Sequence, residues 1–239
     1  EYNITLKTNP EGVGSVTGAG TGFNHGATAI ISATAPFGYE FSHWSNFDSD
    51  GQPTTGLDDN ESASTTLTVG GGHIVFANFQ PLPFNISVNS TLGGNATIIE
   101  SSPFYYDQAY TLSASSEYGY TFQQWSSSTG SDSLISSKTS NISTFSVAGD
   151  ASYTANFTEN QYKLTVTMGQ GGASITPSVP TTYNHTATVP INAIPLEGYK
   201  FDKWVDDKGA LLNFTESNTT AIMANNVEDV TVRAEFVPI

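Results

Sequence analysis

The stretch Asn46-Phe47-Asp48-Ser49-Asp50-Gly51 places oxygen-bearing side chains at alternate positions and closes on a glycine. Such alternation is the first half of an acidic calcium loop, in which carboxylates and amides meet a hard cation around a sharp turn. Asn46, Asp48, Asp50 and Asp58 are the candidate ligands. The twelfth position, which such a loop fills with Glu, is Leu57, and Asp58, Asp59 and Glu61 lie just beyond it. The plainer reading is a solvated acidic loop. No cofactor other than calcium is implied, and none is required.

Four histidines, His25, His43, His73 and His185, are the remaining metal or acid–base candidates. Phe23-Asn24-His25-Gly26 resembles Tyr183-Asn184-His185-Thr186, but no such run stands between them. There is no HExxH pair, no GxSxG elbow, and no cysteine to act as nucleophile, thiolate ligand or disulfide partner. The histidines read as polar loop or turn residues, and an enzyme has no catalytic constellation to rest on. Ten Asn-x-Ser/Thr sequons, at Asn3, Asn60, Asn85, Asn89, Asn95, Asn141, Asn156, Asn184, Asn213 and Asn218, would be glycosylation sites on an exported chain. Asn3, Asn85 and Asn156 fall on outward strand positions. The loop aromatics Phe47, Tyr105, Tyr106 and Phe214 are the candidates for a carbohydrate-binding surface.

What positions these residues is a threefold repeat. Gly38-Tyr39-Glu40-Phe41-Ser42-His43-Trp44 returns as Gly119, Tyr120, Phe122, Trp125 and again as Gly198, Tyr199, Phe201, Trp204, and these runs hold all three tryptophans. The tryptophans are 81 and 79 residues apart. Each repeat opens on an alternating run (Tyr2/Ile4/Leu6, Phe84/Ile86/Val88, Tyr162/Leu164/Val166) and closes on another (Val75/Ala77/Phe79, Tyr153/Ala155/Phe157, Val232/Ala234/Phe236). A middle run carries Ala29/Ile31/Ala33, Tyr110/Leu112/Ala114 and Val189/Ile191/Ala193. Period-2 alternation marks half-buried strands, and no segment holds a helical period. The expected modules are 1–81, 82–160 and 161–239, with short joints that Pro81 and Pro83 stiffen in the first case.

Modules of this size have little surplus stability, so large aromatics must fill the core. The glycine of each motif should take positive φ at a turn. Tyr39 and Phe41 then share a strand face. Trp44 is three residues past Phe41, so a regular strand would send it to the opposite face. Either a bulge returns it to the core or it caps a second surface; the core reading is the stronger, because buried aromatics dominate small-domain energetics.

Tyr-x-Leu-x-Val, Gly-Ser-Val-Thr, Gly-Tyr-x-Phe-x-x-Trp and Ala-Asn-Phe together resemble the divergent internalin-type B-repeat domains. The second repeat departs over residues 93–106, and the third has Ala-Glu-Phe for Ala-Asn-Phe. The resemblance implies small modules in tandem on bacterial or archaeal surface proteins, each all-β and β-grasp-like or sandwich-like, with no catalytic residues. They would stand in an elongated array.

Composition agrees with an exterior setting. Charged residues make up 12% of the chain, against roughly 25% in average domains. The net charge of -15 repels nucleic-acid phosphate and anionic membranes. No apolar run reaches the length of a membrane span, and Glu1 leads straight into a strand, so the chain reads as a mature or excised segment. The expected protein is an extracellular, non-catalytic surface component, a fibre subunit or an adhesin stalk segment. Its partners would be other copies of itself, neighbouring surface modules, or glycans. An extracellular carbohydrate-binding module is the alternative.

Overall fold

The computed structural model describes residues 1–128, 131–225 and 228–239. Among them the regular structure is β-strand, with short 3-10 turns at Ser131–Leu134 and Met223–Asn225 and no α-helix. The chain forms two compact units. The first comprises Glu1–Ile86, Glu100–Tyr110 and Phe145–Ala151; the second comprises Ser87–Ile99, Thr111–Thr144 and Ser152–Ile239. The first repeat lies in the first unit and the third in the second, while the middle repeat contributes segments to both.

In the first unit the strands of the first repeat are β1 (Tyr2–Asn9), β2 (Ser15–Thr17), β3 (Gly20–Phe23), β4 (Thr28–Thr34), β5 (Tyr39–Phe47), β6 (Ser64–Thr68) and β7 (His73–Pro81). They form two sheets, in the orders β3-β1-β7-β5 and β2-β4-β6. β1 and β7, first and last in sequence, run parallel at the centre of the larger sheet, from Ile4 opposite His73 to Asn9 opposite Asn78. A parallel pair needs a long crossover, and here the crossover contains the second sheet. Ile4, Val75 and Ala77 from one sheet meet Ala29, Ile31 and Leu67 from the other, with Trp44 among them. This is a sandwich core. Each fully buried aliphatic side chain there contributes about 1.5–3 kcal/mol. Of the two architectures expected, the second layer decides for the sandwich, since it is a sheet.

The third repeat is built alike. Its larger sheet runs Thr181–Asn184, Gln161–Met168, Val230–Pro238, Tyr199–Asp206, and its smaller one Gly172–Thr176, Thr188–Pro195, Asn218–Ile222. Leu164 opposite Val230 to Met168 opposite Ala234 again gives a parallel central pair. Of the middle repeat, Pro83–Phe84 pairs with Phe104–Tyr105 in the first unit, and Tyr120–Ser127 pairs with Tyr153–Glu159 in the second.

The alternation in the opening strand is uneven at its first residue. Tyr162 is 8% exposed, whereas its counterpart Tyr2 is 36% exposed. The reason lies in what covers each ring.

Candidate functional site

Each Gly-Tyr-x-Phe-x-x-Trp run is an edge strand with one extra residue. In β5 the register passes from Phe41 opposite Phe79 to His43 opposite Asn78, so Ser42 is the bulge. The same shift follows Phe122 and Phe201. One added residue reverses side-chain parity, which returns the tryptophan to the face of the phenylalanine. Phe41 and Trp44 have ring centroids 5.4 Å apart, and the other two pairs 5.6 Å. All three indoles are buried.

Each indole also staples the loop behind it. The Trp44 Nε1–H donates to Ser62 O at 3.0 Å, Trp125 to Ser140 O at 3.0 Å and Trp204 to Glu216 O at 2.9 Å. In two repeats an asparagine braces the bulge: Asn78 Nδ2 donates to His43 O and Ser45 Oγ, and Asn156 Nδ2 to Gln124 O and Ser126 Oγ. Only the Ala-Asn-Phe pattern hinted at this role. The third repeat has Glu235 at that position, paired with Arg233 at 3.3 Å.

The calcium candidates are not assembled into a cage. Asn46 is buried, donating through Nδ2 to Thr55 O and accepting through Oδ1 from His73. Asp48 Oδ1 accepts from the backbone N–H of Asp50 and of Gln52, which makes it a turn cap. Among the described residues no three His, Cys, Asp or Glu side chains gather as a metal group, so Asp48, Asp50 and Asp58 do not converge. A bound ion would raise the melting temperature. Millimolar calcium and excess chelator should therefore give indistinguishable melts, and a rise with calcium would restore the site.

The four histidines separate into two kinds. His25 and His185 are turn residues, the first exposed and the second buried, whereas His43, half-buried in β5, and His73, buried at the start of β7, lie on strands, which corrects the loop-or-turn reading for these two. His73 Nε2 accepts from Gly70 N–H at 3.3 Å, which leaves Nδ1 to donate to Asn46 Oδ1 at 2.9 Å. Burial lowers its pKa below the ordinary value of 6.5. The unfolded chain therefore takes up the proton first as pH falls, so this contribution is complete above about pH 6.5 and lost below it. The melting temperature should drop between about pH 7 and pH 5.5, and His73→Gln should remove that part of the drop. Equal drops in both proteins would show that the proton goes elsewhere.

Nine of the ten sequon asparagines are exposed: Asn3, Asn60, Asn85, Asn89, Asn95, Asn141, Asn184, Asn213 and Asn218. Asn156 is the exception: it is half-buried, and its amide donates to Gln124 O and Ser126 Oγ across the bulge. Of the loop aromatics, Phe47 packs edge-on against Phe76 at 5.9 Å. Phe214 is 42% and Tyr105 36% exposed. Tyr106 belongs to a different arrangement, the joint between repeats.

In the first unit, Gly38 is buried with φ +83°. Its carbonyl accepts from Leu82 N–H at 2.8 Å, and the Leu82 carbonyl accepts from Tyr106 N–H at 3.4 Å. The Tyr106 ring lies over the glycine so closely that a Cβ there would fall 2.2 Å from Cγ. Phe37, Tyr39 and Phe84 surround that ring at 5.5, 5.9 and 6.4 Å. In the second unit, Gly119 is buried with φ +83° and accepts from Asn160 N–H at 2.8 Å, while Asn160 O accepts from His185 N–H at 2.8 Å. The His185 ring takes the place of Tyr106, with Tyr118, Tyr162 and Tyr120 at 5.2, 6.0 and 6.4 Å. Glu159 Oε1 accepts from Thr186 N–H beside it, and hydrogen bonds from the Thr186 hydroxyl and backbone hold its carboxyl below the usual range. The middle repeat thus has a counterpart to the two Asn-His turns after all. It is Tyr105-Tyr106, where the residue type differs and the place in the fold does not.

The surface concavities are open hollows. One of about 520 Å³ is lined by Leu6, Lys7, Thr8, Asn9, Glu11, Val16 and Phe76. No helix among the described residues is long and apolar enough to cross a membrane.

Tandem two-sheet modules with a shared bulge, staple and joint define a repeat protein whose units are one design. The chain belongs to the divergent InlB B-repeat domain family, whose model matches residues 4–83, 84–161 and 162–239. Membership of this repeat family suggests a surface structural protein and an extracellular location. No curated protein matches the chain. Among solved structures, the Bacillus anthracis TIE protein aligns at 7% identity and TM-score 0.43, over 98% of this chain and 50% of that one. The chain thus spans about half the length of that protein. Domains A168–A170 of titin align at 8% identity and TM-score 0.14, over 87% of this chain and 86% of that one.

Proposed function

We propose that the protein is a non-catalytic structural element outside the cell, a subunit of an extracellular fibre or a stalk segment of an adhesin. The observation that supports this most is the joint. Both joints use the same carbonyl relay through a positive-φ glycine and the same ring over it, where a flexible linker would carry no such packing. Joints packed in this way suit a protein whose task is to hold distance. The polar faces rich in Ser, Thr and Asn and the scarcity of charge suit an exposed scaffold, and no metal or organic cofactor has a role in this reading. Its partners are other copies of the chain or neighbouring surface modules.

Surface labelling of native cells, followed by electron microscopy of the released protein, tests the reading. Label at the surface on slender fibres or stalks is expected. Protein confined to the cell interior, a hydrolytic turnover, or a saturable response to a sugar would overturn it.

A further inference from the structure

The loop that each indole staples also carries a sequon. In the first repeat Asn60 O accepts from Trp44 N–H at 2.7 Å and Ser62 O from the indole at 3.0 Å, within Asn60-Glu61-Ser62. In the third, Phe214 O accepts from Trp204 N–H at 2.8 Å and Glu216 O from the indole at 2.9 Å, beside Asn213-Phe214-Thr215. In the middle repeat Lys138 O accepts from Trp125 N–H at 2.7 Å, and Asn141-Ile142-Ser143 follows. The three asparagines are out of register with one another, so the feature recurs by its place in the fold and not by alignment.

The three amides are not equally available. Asn141 Nδ2 donates to Ala114 O at 3.2 Å, and Ser143, whose hydroxyl completes that sequon, is buried. Asn60 is exposed, but the Ser62 hydroxyl is half-buried and donates to Ser64 O at 2.8 Å. Asn213 is the open case. All three residues of its sequon are exposed. Its Oδ1 accepts from the backbone N–H and the hydroxyl of its own Thr215, at 2.8 and 3.0 Å. That pair of bonds fixes the amide and keeps the hydroxyl beside it, while Nδ2 has no hydrogen-bond partner among the described residues. Leu212 and Phe214, on either side, are 66% and 42% exposed. They give the amide an apolar surround that the carbon face of a sugar ring would cover.

We propose that Asn213 is N-glycosylated in the folded chain, and that Asn141 and Asn156 stay bare. The inference rests on the extracellular reading above, because such sequons are used on exported chains. The co-substrate is an oligosaccharide joined through its anomeric carbon to a polyprenyl phosphate or diphosphate. Asn213 Nδ2 attacks that carbon. The new N–C bond forms as the C–O bond to phosphate breaks, the amide gives one proton to a base of the transferring enzyme, and the lipid phosphate leaves with the bonding electrons. The attacking amide must therefore be exposed and unshared. Asn156 Nδ2 is neither, being held by Gln124 O and Ser126 Oγ. The sequons at Asn3, Asn95 and Asn218 lie within strands and would have to unpair before an enzyme could bind them. A neutral, hydrated glycan would also solvate a surface on which only 12% of the chain is charged.

Peptide-level mass spectrometry of protein released from native cells tests this. Glycan is expected on the peptide that holds Asn213, with the Asn141 and Asn156 peptides unmodified. Expressed in the same cells, Asn213→Gln and Thr215→Ala should each lose that glycan, and Thr215→Ser, which keeps a hydroxyl, should retain it. Circular dichroism checks that each variant folds, and all three changes are at exposed positions. A bare Asn213 on protein that labels at the cell surface would overturn the inference and leave the structural reading standing. Asn156 modified as fully as Asn213, or glycan retained in Thr215→Ala, would overturn it too, because the folded geometry would then not choose the site. Absence from the surface would remove the structural reading, and this inference with it.

Discussion

Trp204→Ala is expected to cost about 3–5 kcal/mol, the usual effect of deleting a large buried aromatic. A repeat of this size holds roughly 4–12 kcal/mol in total, so the third repeat should lose most of its protection from hydrogen exchange at room temperature. Two losses combine. The indole leaves a void between the sheets, and Glu216 O, which accepts its Nε1–H at 2.9 Å, loses its partner. Trp204→Phe separates them: it keeps most of the packing, leaves the carbonyl unsatisfied, and should cost about 1–2 kcal/mol. If the alanine variant melts within about two degrees of wild type, the tryptophan is not the keystone of its module.

The second large effect comes from a matched pair of glycines. Gly119 and Gly198 have φ of +83° and +81°, so alanine meets the same backbone penalty at each, about 1–2 kcal/mol. Their surroundings differ. A Cβ at 119 would fall 1.9 Å from His185 Cδ2, while at 198 it would meet nothing. Gly119→Ala should therefore destabilise by about 1–3 kcal/mol more than Gly198→Ala, the excess being the cost of overpacking. Equal melting temperatures for the two variants would mean that the ring over Gly119 is loosely held.

How much of the fold and the site was legible in the sequence depends on how local the cause is. The strands, their inward faces and the repeat could be read because alternation and self-similarity are properties of the chain itself. The tryptophan left two options open, and the strand needed a single extra residue, at Ser42, Gln123 and Asp202, to choose between them. A bulge is visible only against the partner strand. The calcium pattern does not become a cage for a similar reason. Asn-x-Asp-x-Asp-Gly is a local pattern, but Asn46 commits its side chain to His73, 27 residues away, and nothing local announces that bond. The joint was hidden most completely. Its covering residue is Tyr in one case and His in the other, so the repeats show no match there, although backbone N–H groups make the same relay in both. The division into two compact units, with the middle repeat contributing to each, was likewise not in the pattern, which shows three equal modules.

The parallel pair at the centre of each large sheet has a mechanical meaning. In the first repeat the chain enters along β1 and leaves along β7, side by side and pointing the same way, over six paired positions from Ile4–His73 to Asn9–Asn78. Tension applied at the two ends of that repeat slides these strands past each other. The bonds between them lie across the pull, so they share the load and must give way together. In an antiparallel hairpin pulled from its open end the bonds would break singly, in succession. The third repeat repeats the arrangement from Leu164–Val230 to Met168–Ala234, so a pull along the chain meets a shear-loaded clasp there too.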